Sequence, residues 1–247
     1  MKIAAISDIH SNVFALEKVL ANIKQQNIDF IVNLGDTLYG PIAPKDTYEL
    51  ILSENIVSIS GNQDRLIYEA KESESNSNPT LNFVINDLEI EAINWLKNLP
   101  FEKRISAEVY SCHGSPKSDS EYLLENIESG NPILKKDDEI IKSLDGETSE
   151  VILCGHTHLF RSVMLSTNQI VINPGSVGLP AYKDDEPISH AMENYIPHAS
   201  YAIIEKKGNE WEITNKIVPY KVEKAIEGAN KRKREDWAFY LKTGRGS

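Results

Sequence analysis

Val151-Ile152-Leu153-Cys154-Gly155-His156-Thr157-His158 is a short apolar run that ends in a glycine and two histidines one residue apart. On a helix, positions i and i+2 do not face each other. On a strand they share a face, and just past a strand both can turn toward one point. Neutral imidazole is the commonest metal ligand near physiological pH. A His-x-His pair is also an ordinary surface feature, so its meaning depends on partners elsewhere in the chain.

The same arrangement recurs toward the N-terminus. Lys2 to Ile6 reads as a first strand that ends in Ser7-Asp8-Ile9-His10. Asn12 can cap a helix through Phe14, Leu16, Val19, Leu20 and Ile23, apolar positions with helical period. A second strand, 29–34, leads into Gly35-Asp36. Gly40 and Pro41 break the chain before a helix around 46–52. A third strand, 55–59, ends in Ser60-Gly61-Asn62. This β-α-β-α-β order predicts an α/β fold with a mainly parallel sheet covered by helices.

Farther on, 72–80 is polar and of low complexity and reads as an exposed loop. Residues 81–99 read as one helix ended by Pro100, and 108–112 as a strand running into His113-Gly114. The stretch 115–135 is loop-rich, and 140–144 continues a helix. Strand signals dominate after Phe160, at 162–165, 169–172, 201–205 and 211–218, with a turn at Asn173-Pro174-Gly175-Ser176. Residues 183–199 read as a polar loop, a lid or pocket wall in one reading, with His190 and His198 as surface histidines in the other. Residues 222–241 read as one or two helices, and the run Lys231-Arg232-Lys233-Arg234 as a solvated face. No repeat or linker divides the chain, so a single domain over 1–247 is expected.

The 247 residues can bury a substantial core, and 40% hydrophobic with 26% charged residues is ordinary for a soluble globular protein. A net charge of −11 speaks against binding a nucleic-acid polymer, because a basic face is what neutralises phosphates. Small phosphorylated partners remain open, since a metal centre supplies local positive charge. No secretory leader or membrane span is evident, and a cytoplasmic location without membrane partners is expected. Cys112 and Cys154 form no zinc-type pair or disulfide framework and are expected to be packing residues. Oligomeric state is not legible.

Asp8 and His10 follow the first strand, Asp36 the second and Asn62 the third; His113 follows a later strand, and His156 with His158 another. Singly, each fragment is also what a helix entry or a turn looks like. Together they place oxygen and nitrogen ligands where sites form in open α/β sheets, beyond the carboxyl ends of parallel strands. Three carboxylate or amide oxygens and four imidazoles can hold two divalent cations with one carboxylate shared. Such metals, about 4 Å apart, deprotonate a water and neutralise charge on phosphorus under in-line attack. Mixed oxygen and nitrogen ligation suits Mn²⁺ first, and Fe, Zn, Ni or Mg ahead of Ca²⁺.

Asp8-x-His10, Gly35-Asp36, Gly61-Asn62-x-Asp64, His113-Gly114 and Gly155-His156-x-His158 resemble the calcineurin-like metallophosphoesterase superfamily. Asn173 to Ser176 adds a likeness to its small prokaryotic branch. The resemblance implies a four-layer α/β/β/α sandwich. It implies Asp8, His10, Asp36 and His158 at one metal and Asp36, Asn62, His113 and His156 at the other. It also implies Asn62 on the substrate phosphate, and a metal-bridging hydroxide as nucleophile, so that Asp36 and Asn62 serve catalysis. The activity implied is hydrolysis of a phosphodiester or pyrophosphate bond in a small phosphorylated molecule, a nucleotide or dinucleoside polyphosphate among them. Arg65 can contact substrate phosphate bidentately or form an ordinary salt bridge. Where many relatives carry a proton-donating His, this chain has Gln63, which hydrogen-bonds but cannot serve as a general acid near neutral pH. Gly35-Asp36 leads into Thr37-Leu38-Tyr39, unlike the protein-phosphatase branch. The alternative class is a non-catalytic scaffold on the same fold, against which the complete ligand set argues.

Overall fold

The computed structural model describes residues 1–246. Strand β1 (Lys2–Ile6), helix α1 (Val13–Ile23), β2 (Phe30–Asn33), α2 (Pro44–Ser53) and β3 (Ile56–Ser58) form the opening alternation. Helices α3 (Asn62–Glu69), α4 (Glu72–Ser77), α5 (Pro79–Asp87) and α6 (Ile90–Asn98) follow. Next come β4 (Glu102–Arg104), β5 (Val109–Cys112), the small hairpin β6 (Glu125–Asn126) and β7 (Ile133–Leu134), and α7 (Asp137–Ser143). Then come β8 (Val151–Leu153), β9 (Phe160–Met164), β10 (Ile170–Pro174) and a second hairpin, β11 (Ala181–Asp184) with β12 (His190–Glu193). The chain closes with β13 (Ala199–Lys207), β14 (Glu210–Val218), α8 (Val222–Lys231) and α9 (Glu235–Thr243).

These elements make a mixed α/β fold with two five-stranded sheets, ordered β14-β13-β1-β2-β3 and β4-β5-β8-β10-β9. In the first, β1, β2 and β3 are parallel; in the second, β5, β8 and β10 are. The sheets meet through one face of each. Ile3, Ala5, Val32 and Leu34 pack with Val109, Val151, Leu153 and Ile172 in one buried cluster. The period of two sends the intervening residues the other way. Ala4 and Ile6 meet Leu16, Val19 and Leu20 of α1, while Tyr110, Ile152 and Val171 meet Ile140 of α7 and Leu144 just after it. Burial on both faces is why these strands read as continuous apolar runs. Cys112 and Cys154 are free thiols inside the second of those helix-facing clusters. Among the described residues, no helix is long and apolar enough to cross a membrane.

Several expectations need correction. The stretch 81–99 is two helices, because Leu88 turns extended (φ −85, ψ 138) after Asp87, whose carboxylate accepts the backbone N–H of Lys45. The 72–80 segment carries α4 and the start of α5. Glu74 accepts the N–H of Lys71, and Asn78 that of Leu81, caps that outweigh the polar composition. The 183–199 loop is largely the second hairpin, and its His190 is buried. The basic run 231–234 is not one solvated face. It forms the corner between α8 and α9, where Lys233 has φ 58 and Arg232 lies over the Phe83 ring.

Candidate active site

Every parallel strand that ends in a ligand-type residue delivers it to one edge of the paired sheets. β1 is followed by Asp8 and His10, β2 by Asp36, β3 by Asn62, β5 by His113, and β8 by His156 and His158. The structure gathers them into two triads, Asp8 with His10 and His158, and Asp36 with His113 and His156, each with ligand atoms within 4.8 Å of one another. Asp36 lies between the triads: its Oδ2 is 3.5 Å from His113 Nε2 and 4.0 Å from His10 Nε2. Asn62 Oδ1 lies 3.1 Å from His113 Nε2.

The backbone bends sharply to do this. Asp8, His10, Asp36, His156 and His158 all have positive φ, between 48° and 70°. For residues with a side chain this region costs on the order of 1–3 kcal/mol each and persists only where the surroundings enforce it. The enforcing groups are visible. Asp64 accepts N–H groups from Thr37 and Leu38 on one oxygen and from Gly61 on the other, tying the loop after β2 to the one after β3. Asn173, at the end of β10, donates to the Gly155 carbonyl and to Thr157 Oγ1, which fixes the His-x-His loop. Gly61 has no room for a side chain, since a Cβ there would sit 2.2 Å from Asp36 Oδ1.

The donor inventory shows what the site lacks. Nδ1–H of His10 donates to the Tyr39 carbonyl (3.1 Å) and that of His158 to the Leu179 carbonyl (2.7 Å). A carbonyl only accepts, so in the neutral imidazoles both Nε2 atoms present lone pairs, and these meet at 3.0 Å. Asp8 Oδ1 is buried beside them with no hydrogen-bond partner among the described residues. Acceptors converging without a donor are a cation site by their own chemistry. Asp8, His10 and His158 therefore fit a divalent metal ion, and Asp36, Asn62, His113 and His156 bring the same donor types together for a second.

Titration follows the same field. Burial pulls the His113 pKa down, but Asp36 and Asp8 outweigh it and raise it to about 10. Burial, then repulsion from His158, lowers His10 to about 4; burial, then His113, lowers His156 to about 4. Burial and the Asp36 charge raise Asp64 to about 7 against its three N–H donors.

A cavity of about 210 Å³ opens over the triads, and His10, Asp36, Asn62, His156 and His158 line it. Gln63 lines it too, its N–H donating to Asp36 Oδ1 (2.8 Å) and its Oε1 buried without a partner among the described residues. Arg65 is engaged elsewhere, bidentate on Asp119 (2.7 and 3.0 Å) and paired with Glu69, and is not among the residues lining this cavity. Sequence reasoning missed Tyr122 and Tyr182, whose rings lie 4.9 Å from His156 and 4.6 Å from His158. Their hydroxyls are 3.1 Å apart, and Tyr122 donates to His190 Nε2. It also missed Arg234, at the corner before α9, and Trp237 and Tyr240 of α9. No local motif marks any of these.

Residues 1–194 match the calcineurin-like phosphoesterase superfamily domain. An uncharacterized protein of Methanocaldococcus jannaschii is 29% identical over 248 residues, covering 95% of this chain and 94% of that one. The crystal structure of a metallophosphoesterase from Sphaerobacter thermophilus superposes with a TM-score of 0.75 at 24% identity. The match covers 99% of this chain and all of that one, a likeness of fold.

Proposed function

The chain belongs to the calcineurin-like phosphoesterase superfamily and is a metal-dependent hydrolase of that kind, and from this premise we propose a dinuclear phosphoesterase acting on a small phosphorylated substrate. The observation that carries the proposal is the pair of buried triads with Asp36 between them. Asp8, His10, Asp36 and His158 would hold one divalent ion; Asp36, Asn62, His113 and His156 would hold the other. When bound, two such ions, Mn²⁺ in first place, supply Lewis acidity toward a phosphoryl oxygen and a water acidic enough to attack phosphorus near pH 7. The residues of the chain do the rest. The Tyr39 and Leu179 carbonyls orient two imidazoles, Asp64 ties two site loops together, and Asn62 places an amide at the cavity where a phosphoryl oxygen would lie.

The test is hydrolysis of bis-p-nitrophenyl phosphate by the full chain with Mn²⁺, alongside metal analysis. Turnover that rises with metal content toward two ions per chain is the expected result. A fully metallated protein inert toward mono- and diesters would instead support a non-catalytic scaffold.

Gln63 sets a second expectation. No imidazole stands at this position, so leaving groups that need a proton are disfavoured and phosphodiester or pyrophosphate bonds with good leaving groups are preferred. Gln63→His is expected to raise kcat/KM for alkyl esters by about 10²-fold, the lower end for general acid catalysis. Its effect on p-nitrophenyl esters should be much smaller. An unchanged slope of rate against leaving-group pKa would remove this reading.

A further inference from the structure

The family match ends at residue 194, yet the cavity over the triads has a wall made later in the chain, by Arg234, Asp236, Trp237 and Tyr240. The Trp237 indole is buried edge-on against the His10 ring, centroids 5.6 Å apart. The Arg234 guanidinium lies over that same indole, 5.3 Å from its centroid. A guanidinium is thus fixed one indole width from a candidate ligand, facing the same cavity.

The way it is held matters. Nε–H and one Nη2–H donate to the two oxygens of Asp236 (2.9 and 2.6 Å), and one Nη1–H donates to the buried Thr80 hydroxyl. A guanidinium has five donors in a rigid fork. Three are committed to Asp236 and Thr80 and the Tyr39 hydroxyl lies beside the guanidinium, so it is the remaining Nη–H groups that can donate to an incoming phosphate oxygen. The side chain is 27% exposed, so these donors are neither lost in the core nor free to wander. Lys183 of β11 lines the same cavity and makes no ion pair among the described residues. Of the carboxylates that line this wall, Asp236 is occupied by Arg234 itself, and Asp184 follows Lys183 in the chain.

We propose that Arg234, carried in by the C-terminal helix pair, binds a second phosphoryl group of the substrate, so that the enzyme selects molecules bearing one phosphate at the triads and another beyond Trp237. This rests on the phosphoesterase reading and narrows its substrate class to polyphosphorylated small molecules. Arg234 acts as a binding residue with no part in bond cleavage.

The test is calorimetric titration of the Mn²⁺-loaded full chain with orthophosphate, pyrophosphate and tripolyphosphate, with metal content measured again afterwards. The wild type is expected to bind tripolyphosphate at least about tenfold more tightly than orthophosphate, the scale of one charge-assisted contact. Arg234→Gln should reduce that ratio to within about threefold, and Arg234→Lys, which keeps the charge without the fork, should fall between. Metal chelation by the free anions is common to all three proteins and cancels in the comparison. An unchanged ratio in both variants, or no preference for longer anions in the wild type, overturns the proposal. Loss of the preference in a protein that never hydrolyses bis-p-nitrophenyl phosphate would keep the anion site and remove the phosphoesterase reading.

Discussion

Asp36→Asn is expected to lower kcat/KM by about 10³-fold or more, and to reduce bound metal from two ions per chain to one or fewer. Asparagine keeps the shape of the side chain and removes its charge, so the effect reports electrostatics rather than packing. Asp36 is the carboxylate between the triads, 2% exposed, and its Oδ1 accepts the Gln63 N–H. Burial alone would raise its pKa, but the imidazoles of His113, His10 and His156 outweigh that and hold it ionised well below the ordinary carboxylate range. The charge is therefore present wherever the enzyme would work. Metal-supplied charge stabilisation in phosphoryl transfer amounts to several kcal/mol, and each 1.4 kcal/mol or so is tenfold in rate, which sets the expected loss. The amide also replaces one carboxylate oxygen by an NH2 group, which donates and offers a cation no lone pair. Inductively coupled plasma analysis and hydrolysis rates on the same samples check both halves. If activity and two-ion stoichiometry survive, Asp36 is not the shared ligand.

How much of this was legible in the sequence differs by residue. The strand-end residues could be read because each motif is local. An apolar β-branched run stops, a polar residue follows, and the parallel topology brings all such ends to one edge. Asn173 was legible only as part of a turn, since its bonds to Gly155 and Thr157 cross between neighbouring strands. Arg234 was not legible as a pocket residue. It sits in a basic run whose bland reading is solvation, and the left-handed corner at Lys233, just before α9, turns it inward toward Thr80 and Trp237. The β11–β12 hairpin was hidden because its link, Asp185-Glu186-Pro187-Ile188-Ser189, has the composition of an exposed loop and gives no alternation. Arg65 shows the converse. Its place beside the Gly-Asn-x-Asp motif suggested phosphate, while Asp119, far along the chain, already takes two of its donors.

Metal loading is expected to raise the melting temperature by roughly 8–16 °C for each site filled to about a thousand times its Kd. Saturation at that level stabilises the folded state by about 4 kcal/mol, and for a domain of this size each kcal/mol moves Tm by about 2–4 °C. The structure says why the folded state should bind so much better than the unfolded chain. Five candidate ligands are already bent into the left-handed region, and the Nε2 lone pairs of His10 and His158 already face each other at 3.0 Å. Asp8 Oδ1 already stands buried without a donor among the described residues. In the metal-free protein these features oppose folding. The facing lone pairs and the orphaned carboxylate oxygen would serve a cation as ligands, and none of that geometry exists in the unfolded ensemble. Scanning calorimetry of chelator-treated protein, with and without added Mn²⁺, measures the shift. Asp8→Asn should retain part of it and Asp36→Asn least, because only Asp36 stands within reach of imidazoles from both triads. A melting temperature that ignores Mn²⁺ would mean that the converging acceptors are satisfied in some other way, and would remove the physical basis for reading the triads as a metal centre.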